Sequence, residues 1–154
     1  MLGADAGIEL PITDYPAPAP ECKLTIDPSF TRHRLVRIDS KKISAEGKAI
    51  PELRAGDQLV LNLFDDLILK ATVSKFPRAG PGGCYFILNE PVKGDGSFLV
   101  DWAGGGFVTG AVNLYATEGI FRYVFRRIYP HDMVVIEEVD VDLRQSMMPE
   151  NVIF

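Results

Sequence analysis

From about Lys23 onward the apolar residues recur mostly at every second position, and the period breaks at short segments rich in glycine, aspartate or proline. Alternation of this kind puts successive side chains on opposite faces of an extended strand. Leu59, Leu61 and Leu63 share one face of residues 58–64, with Val60, Asn62 and Phe64 on the other. Asp65-Asp66 then reads as a short structural turn, and Leu67, Leu69, Ala71 and Val73 line up on a return strand. A slip of one residue would send every leucine to the wrong face, so the pattern fixes the register. Aspartate tolerates the positive φ that tight hairpin turns favour, and a left-handed residue is expected at this turn.

The same period runs through the rest of the chain. Arg32, Arg34, Val36 and Ile38 alternate with His33, Leu35, Arg37 and Asp39, a mixed pattern suited to an edge strand. Residues 78–83 read as a loop, 84–89 as a strand and 93–96 as a turn. Strands 97–102 and 107–114 flank Ala103-Gly104-Gly105-Gly106, a hairpin signal; 120–128 and 133–139 follow, separated by a turn at 129–132. No window of a dozen residues carries a stripe of helical period, and short turns join antiparallel neighbours. The expected fold is all-β: an antiparallel β-sandwich or partly open barrel of about eight strands, mostly up-and-down. Proline-rich residues 1–22, with Pro11, Pro16, Pro18 and Pro20, are expected to form a leader or linker. The β-domain then spans 23–145, and 146–154 is an exit segment, with one helical turn admissible near Asp142–Pro149.

Composition narrows the partners. A chain of 154 residues makes one ordinary domain and buries enough surface to fold without a metal or staple. The formal charge of −5, with scattered lysines and arginines, gives no general attraction to phosphate, so no nucleic-acid partner is expected. No apolar run approaches the roughly 18 residues of a membrane span, and no membrane partner is expected. The first residues, Met1–Gly7, lack the basic and apolar regions of a signal peptide.

Candidate chemistry is sparse. His33, His131, Cys22 and Cys84 are far apart in sequence, without metal-ligand spacing, so neither a metal site nor a cofactor is expected. Cys84 follows two glycines, a setting open to a nucleophile but equally to a buried or bonded cysteine. Gly104-Gly105-Gly106 lacks the Lys-Ser/Thr of a phosphate-binding loop. Glu137 and Glu138 are adjacent on a strand and point to opposite faces. Asp65 and Asp66 read as a turn pair, with calcium binding as the weaker alternative. No catalytic set assembles, and no enzyme is expected. Phe121, Tyr123 and Phe125 fall on one strand face, which is either core or a binding face for sugar, peptide or a neighbouring domain; Trp102 is a further candidate for such a face.

Residues 53–66, Leu-Arg-Ala-Gly-Asp-Gln-Leu-Val-Leu-Asn-Leu-Phe-Asp-Asp, resemble the leading strand of the propeptide-like domain that precedes secreted bacterial zinc metallopeptidases of the reprolysin-like metzincin type. The order of later blocks is similar: residues 71–73, the glycine-bearing 106–112, 121–123, the Val-Val-Ile-Glu-Glu-Val-Asp ending at 134–140, and Met148-Pro149-Glu150. The likeness covers roughly 50–150 and is most specific in its first block. It implies a non-catalytic module, secreted or periplasmic, that packs on a metallopeptidase domain, assists its folding or blocks its cleft. The free-standing alternative is an extracellular module for carbohydrate or a cell-surface ligand, using the aromatic strand face. The HExxH segment of such peptidases is absent, and neither cysteine lies in a cysteine-switch motif. In a secreted setting Cys22 and Cys84 either pair, which would contribute roughly 4 kcal/mol in the chain-entropy account, or stay free.

Overall fold

The computed structural model describes residues 8–10, 12–38, 53–74, 83–101, 106–129 and 131–146. Ten strands lie in one mixed sheet: β1 (Ile8–Glu9), β2 (Ile12–Asp14), β3 (Phe30–Ile38), β4 (Gln58–Phe64), β5 (Leu67–Val73), β6 (Gly83–Leu88), β7 (Lys93–Asp101), β8 (Gly106–Ala116), β9 (Gly119–Ile128) and β10 (Met133–Asp140). A single helix among the described residues, α1 (Val141–Ser146), follows directly. The strand order is β1-β4-β5-β6-β7-β8-β9-β10-β3-β2, and the sheet curls into a half-barrel around one core. The expected all-β class holds. Of the two architectures expected, the half-barrel is nearer the partly open barrel than the sandwich. Among the described residues, however, the one sheet has ten strands, not about eight, and is mixed, because β1 runs parallel to β4.

The two ends of the sheet belong to one short piece of chain. β1 pairs with β4 at one end, and β2 pairs with β3 at the other. Leu10 N–H donates to the Val60 carbonyl at 3.1 Å, and the Asn62 side-chain amide donates to the Ile12 carbonyl at 3.1 Å. Leu10 and Ile12 are buried in the common core. Ile8–Glu9 and Ile12–Asp14, within the segment expected as a leader or linker, thus join the sheet. Strands of two and three residues lie below any window in which a period of two can be counted, so the neighbouring prolines dominated the sequence reading. From the other side Arg34 reaches across from β3, its Nη1 donating to the Asn62 and Leu63 carbonyls at 2.8 and 3.2 Å.

The leucine hairpin is as expected. Leu59, Leu61 and Leu63 are fully buried, Leu69, Ala71 and Val73 share their core, and Leu67 packs against it. Asp65-Asp66 is the turn, but neither has a positive φ. A register shift between Asn62 and Phe64 is present instead, and a bulge of this kind adds the twist that a left-handed turn residue would otherwise supply. It also turns Phe64 inward beside Leu63.

Residues 93–96, expected as a turn, are the start of β7. The turn lies earlier, at Asn89–Val92. The glycines have another use. Phe86 lies opposite Gly96, and Phe98 lies opposite Gly110, so each ring occupies the space a Cβ would fill. The rings of Phe86, Phe98, Phe107 and Phe125 then pack at centroid distances of 5.1 to 5.9 Å, with Phe98 meeting Phe107 and Phe125 edge to face and the other pairs tilted.

Candidate binding groove on the outer face

β10 is buried on both sides. Val134 and Ile136 face the core, while Met133, Val135 and Glu137 point outward and are still buried. The cover over Glu137 is the chain that precedes β3. Thr25 N–H donates to Glu137 Oε2 at 3.1 Å, Arg126 Nε pairs with Glu137 Oε1 at 3.2 Å, and Arg126 Nη2 reaches the Lys23 carbonyl at 2.9 Å. The buried carboxylate thus has both a counter-charge and a backbone donor, which a desolvated charge requires.

Further along the same outer face, α1 provides a second cover. Asp140 caps it, accepting from Leu143 N–H at 3.0 Å, and Asp140 N–H is itself held by the Ser29 carbonyl at 2.7 Å. Asp142 accepts from Ile120 N–H at 3.2 Å, tying the helix to the β8–β9 turn. Gly119 permits this approach. Its φ is +148°, and a Cβ there would lie 2.7 Å from Asp142 Oδ2.

Between α1 and the strands runs a groove of about 500 Å³. Ile120, Val124 and Val139 floor it, Asn113, Tyr115 and Val141 flank it, and Arg122, Arg144 and Gln145 complete the lining. Arg122 stands at the end of a hydrogen-bonded row crossing four strands. Tyr85 donates to Asp95 at 2.9 Å, Asn113 donates to Asp95 at 3.0 Å, and Arg122 Nε donates to Asn113 Oδ1 at 2.8 Å. The bond to Asp95 raises the pKa of the Tyr85 phenol above its ordinary value. The row fixes the guanidinium through one of its five N–H donors. Arg144 lies over the Phe30 ring at 5.7 Å, near Asp27. No lining residue is acidic, in a chain whose formal charge is −5.

A second polar cluster lies where β3 faces the β4–β5 hairpin. Arg32 pairs with Glu138 at 3.1 Å and Asp66 at 2.6 Å, and its guanidinium stacks 3.9 Å from the Phe64 ring centroid. Glu138 also accepts from the Thr31 hydroxyl and from Tyr123. Burial, then the bond to Glu138, pushes the Tyr123 phenol well above its ordinary pKa. Every member has a partner, so this cluster reads as a clamp, not an open site.

The residues singled out in the sequence are dispersed. Tyr123 and Phe125 are buried and Phe121 packs against the core, so that stripe is core and not a binding face. Trp102 lies outside the described residues. Of the two alternatives for Cys22 and Cys84, the structure has both free: Cys84 points into the core while Cys22 lies partly exposed in the segment before β3. Burial, with the charge of Asp57 behind it, pushes the Cys84 thiol up to about 12, which removes the thiolate a nucleophile needs. His33 and His131 are exposed, and no group of three or more His, Cys, Asp or Glu among the described residues could hold a metal. Asp65 and Asp66 form the turn, with Asp66 held by Arg32. Glu137 and Glu138 take opposite faces, as their adjacency requires.

Arg144 carries no signal in the sequence, whereas Arg122 is visible there only as a residue between the aromatics of its strand. Once Phe121, Tyr123 and Phe125 belong to the core, the opposite face of β9 reads Ile120, Arg122, Val124, Arg126, apolar and cationic in turn.

The described chain is thus an all-β half-barrel carrying a cationic, apolar-floored groove on its outer face. Comparison with models of known families, with curated proteins and with solved structures returns no match to it.

Proposed function

We propose that this chain is a non-catalytic interaction module that packs on a zinc metallopeptidase domain, assisting its folding or blocking its cleft, and that it docks through the outer groove. The observation that supports docking is the groove itself, where the half-buried Ile120 and Val124 side chains lie beside two exposed guanidiniums in an otherwise acidic chain. The metallopeptidase as partner follows from the resemblance of residues 53–66 and the ordered blocks after them. An edge strand is a poor docking element here. The free ends of the sheet are strands of two and three residues, too short to template a partner strand.

The test adds this domain in trans to the isolated metallopeptidase catalytic domain encoded with it, up to near-millimolar concentration, which compensates for the lost tether. Proteolysis is expected to fall or refolding yield to rise, and the double variant Arg122→Glu/Arg144→Glu is expected to abolish the effect. No change in either quantity removes the metallopeptidase reading.

A further inference from the structure

The lining of the groove says which chemistry a docking segment must bring. Its floor is aliphatic, with Ile120 and Val124 half-buried and Val139 buried beneath them, so the occupant presents apolar side chains to it. Its charge is wholly positive: Arg122 and Arg144 line it, with no aspartate or glutamate. Arg144 has Asp27 nearby. Arg122 forms no ion pair among the described residues, and its Nε donates to the neutral side-chain amide of Asn113. That bond orients a guanidinium without neutralising it. A fixed, uncompensated guanidinium beside an apolar floor suits a carboxylate, which accepts two parallel N–H bonds from the same fork.

We infer that the groove receives an extended acidic segment of a protein partner. One glutamate or aspartate carboxylate of that segment pairs with Arg122 and Arg144, and apolar neighbours of the carboxylate rest on Ile120 and Val124. This rests on the interaction-module reading and gives the docking segment a chemistry. The side-chain amide of Gln145 borders the groove and can bond the peptide backbone.

The probes are two blocked peptides, acetyl-Ser-Leu-Glu-Val-Ser-amide and its Glu→Gln counterpart, titrated into the whole chain and followed by amide NMR shifts. The glutamate peptide is expected to give saturable shifts at Ile120, Val124 and Val139. The glutamine peptide is expected to bind about tenfold more weakly, as is the glutamate peptide to Arg122→Gln. Arg122→Glu is expected to reverse the preference toward a lysine-bearing peptide, which loss of folding would not do. Equal binding of the two peptides, shifts confined to other surfaces, or no shift at millimolar peptide overturns the inference. Tighter peptide binding by Glu150→Gln also overturns it, making the chain's own residues 147–154 the occupant. If the peptides fail while the metallopeptidase domain is still inhibited and the double arginine variant is not inhibitory, the acidic segment falls and the docking surface stands. If the glutamate peptide binds and the metallopeptidase is unaffected, the acidic segment stands and the metallopeptidase falls.

Discussion

The Phe98 ring lies so close over Gly110 that a Cβ built there would sit 2.4 Å from ring Cδ1. Phe98 cannot yield, because it is buried and flanked by Phe86, Phe107 and Phe125. Gly110→Ala is therefore expected to cost about 1–3 kcal/mol through overpacking. Gly56→Ala provides the contrast: its φ is +95° but nothing lies within 4 Å, so only backbone strain of about 1 kcal/mol applies. Urea denaturation of both variants checks this; a smaller loss for Gly110→Ala than for Gly56→Ala would contradict it.

Arg32 is expected to matter more than its exposed partner. It meets Glu138, whose side chain is only 12 % exposed, and it covers Phe64. Arg32→Ala leaves that carboxylate without its charge partner and should cost roughly 1–3 kcal/mol. Asp66 is 73 % exposed, so Asp66→Asn should leave stability nearly unchanged. A double-mutant cycle between Arg32 and Glu138 measures the coupling directly. Near-zero coupling would mean that the clamp is decorative.

What the sequence made legible follows from periodicity and length. β4 and β5 were readable to the residue because Leu59, Leu61, Leu63, Leu69, Ala71 and Val73 alternate over seven residues on each side of a turn. β1 and β2 were not, since two and three residues carry no countable period. The start of β7 was misread because Gly94 and Gly96 carry turn chemistry in sequence, whereas in the fold Gly96 gives way to the Phe86 ring. The groove was hidden for a different reason. It needs β8, β9, β10 and α1 together, and the Asp142 bond that brings the helix to β9 beside Gly119 links positions far apart in the sequence.

The cysteines are expected to respond differently to a thiol reagent in the native state. Cys84 is 4 % exposed and its thiol pKa is pushed up to about 12, so it should react only on unfolding, while Cys22 reacts first. The same burial sets a pH dependence. Between the ordinary value of 9.0 and about 12 the unfolded chain loses this proton and the folded chain keeps it. Stability from this group is complete below pH 9.0 and falls as pH rises toward about 12. The slope should approach about 1.4 kcal/mol per pH unit. Cys84→Ala should flatten that slope whatever its effect on absolute stability. An unchanged slope would assign the alkaline loss to other groups.

The last prediction concerns the attachment of α1. The six-residue helix is too short to persist alone, so its position depends on Asp140 at its start and on Asp142 bound to Ile120 N–H. Asp142→Ala removes the second tie and leaves the barrel core untouched. Local opening should become easier by about 0.5–1.5 kcal/mol, the net worth of one such bond, while the global unfolding midpoint moves little. Hydrogen exchange should therefore accelerate at Ile120 and along Val141–Ser146, with core amides such as Val134 and Ile136 unaffected. Binding of the glutamate peptide should weaken with it, because Arg144 and Gln145 leave the groove when the helix does. Faster exchange at Val134 would instead show that α1 supports the whole sheet, and unchanged exchange at Ile120 would show that the Asp142 bond does not hold the helix.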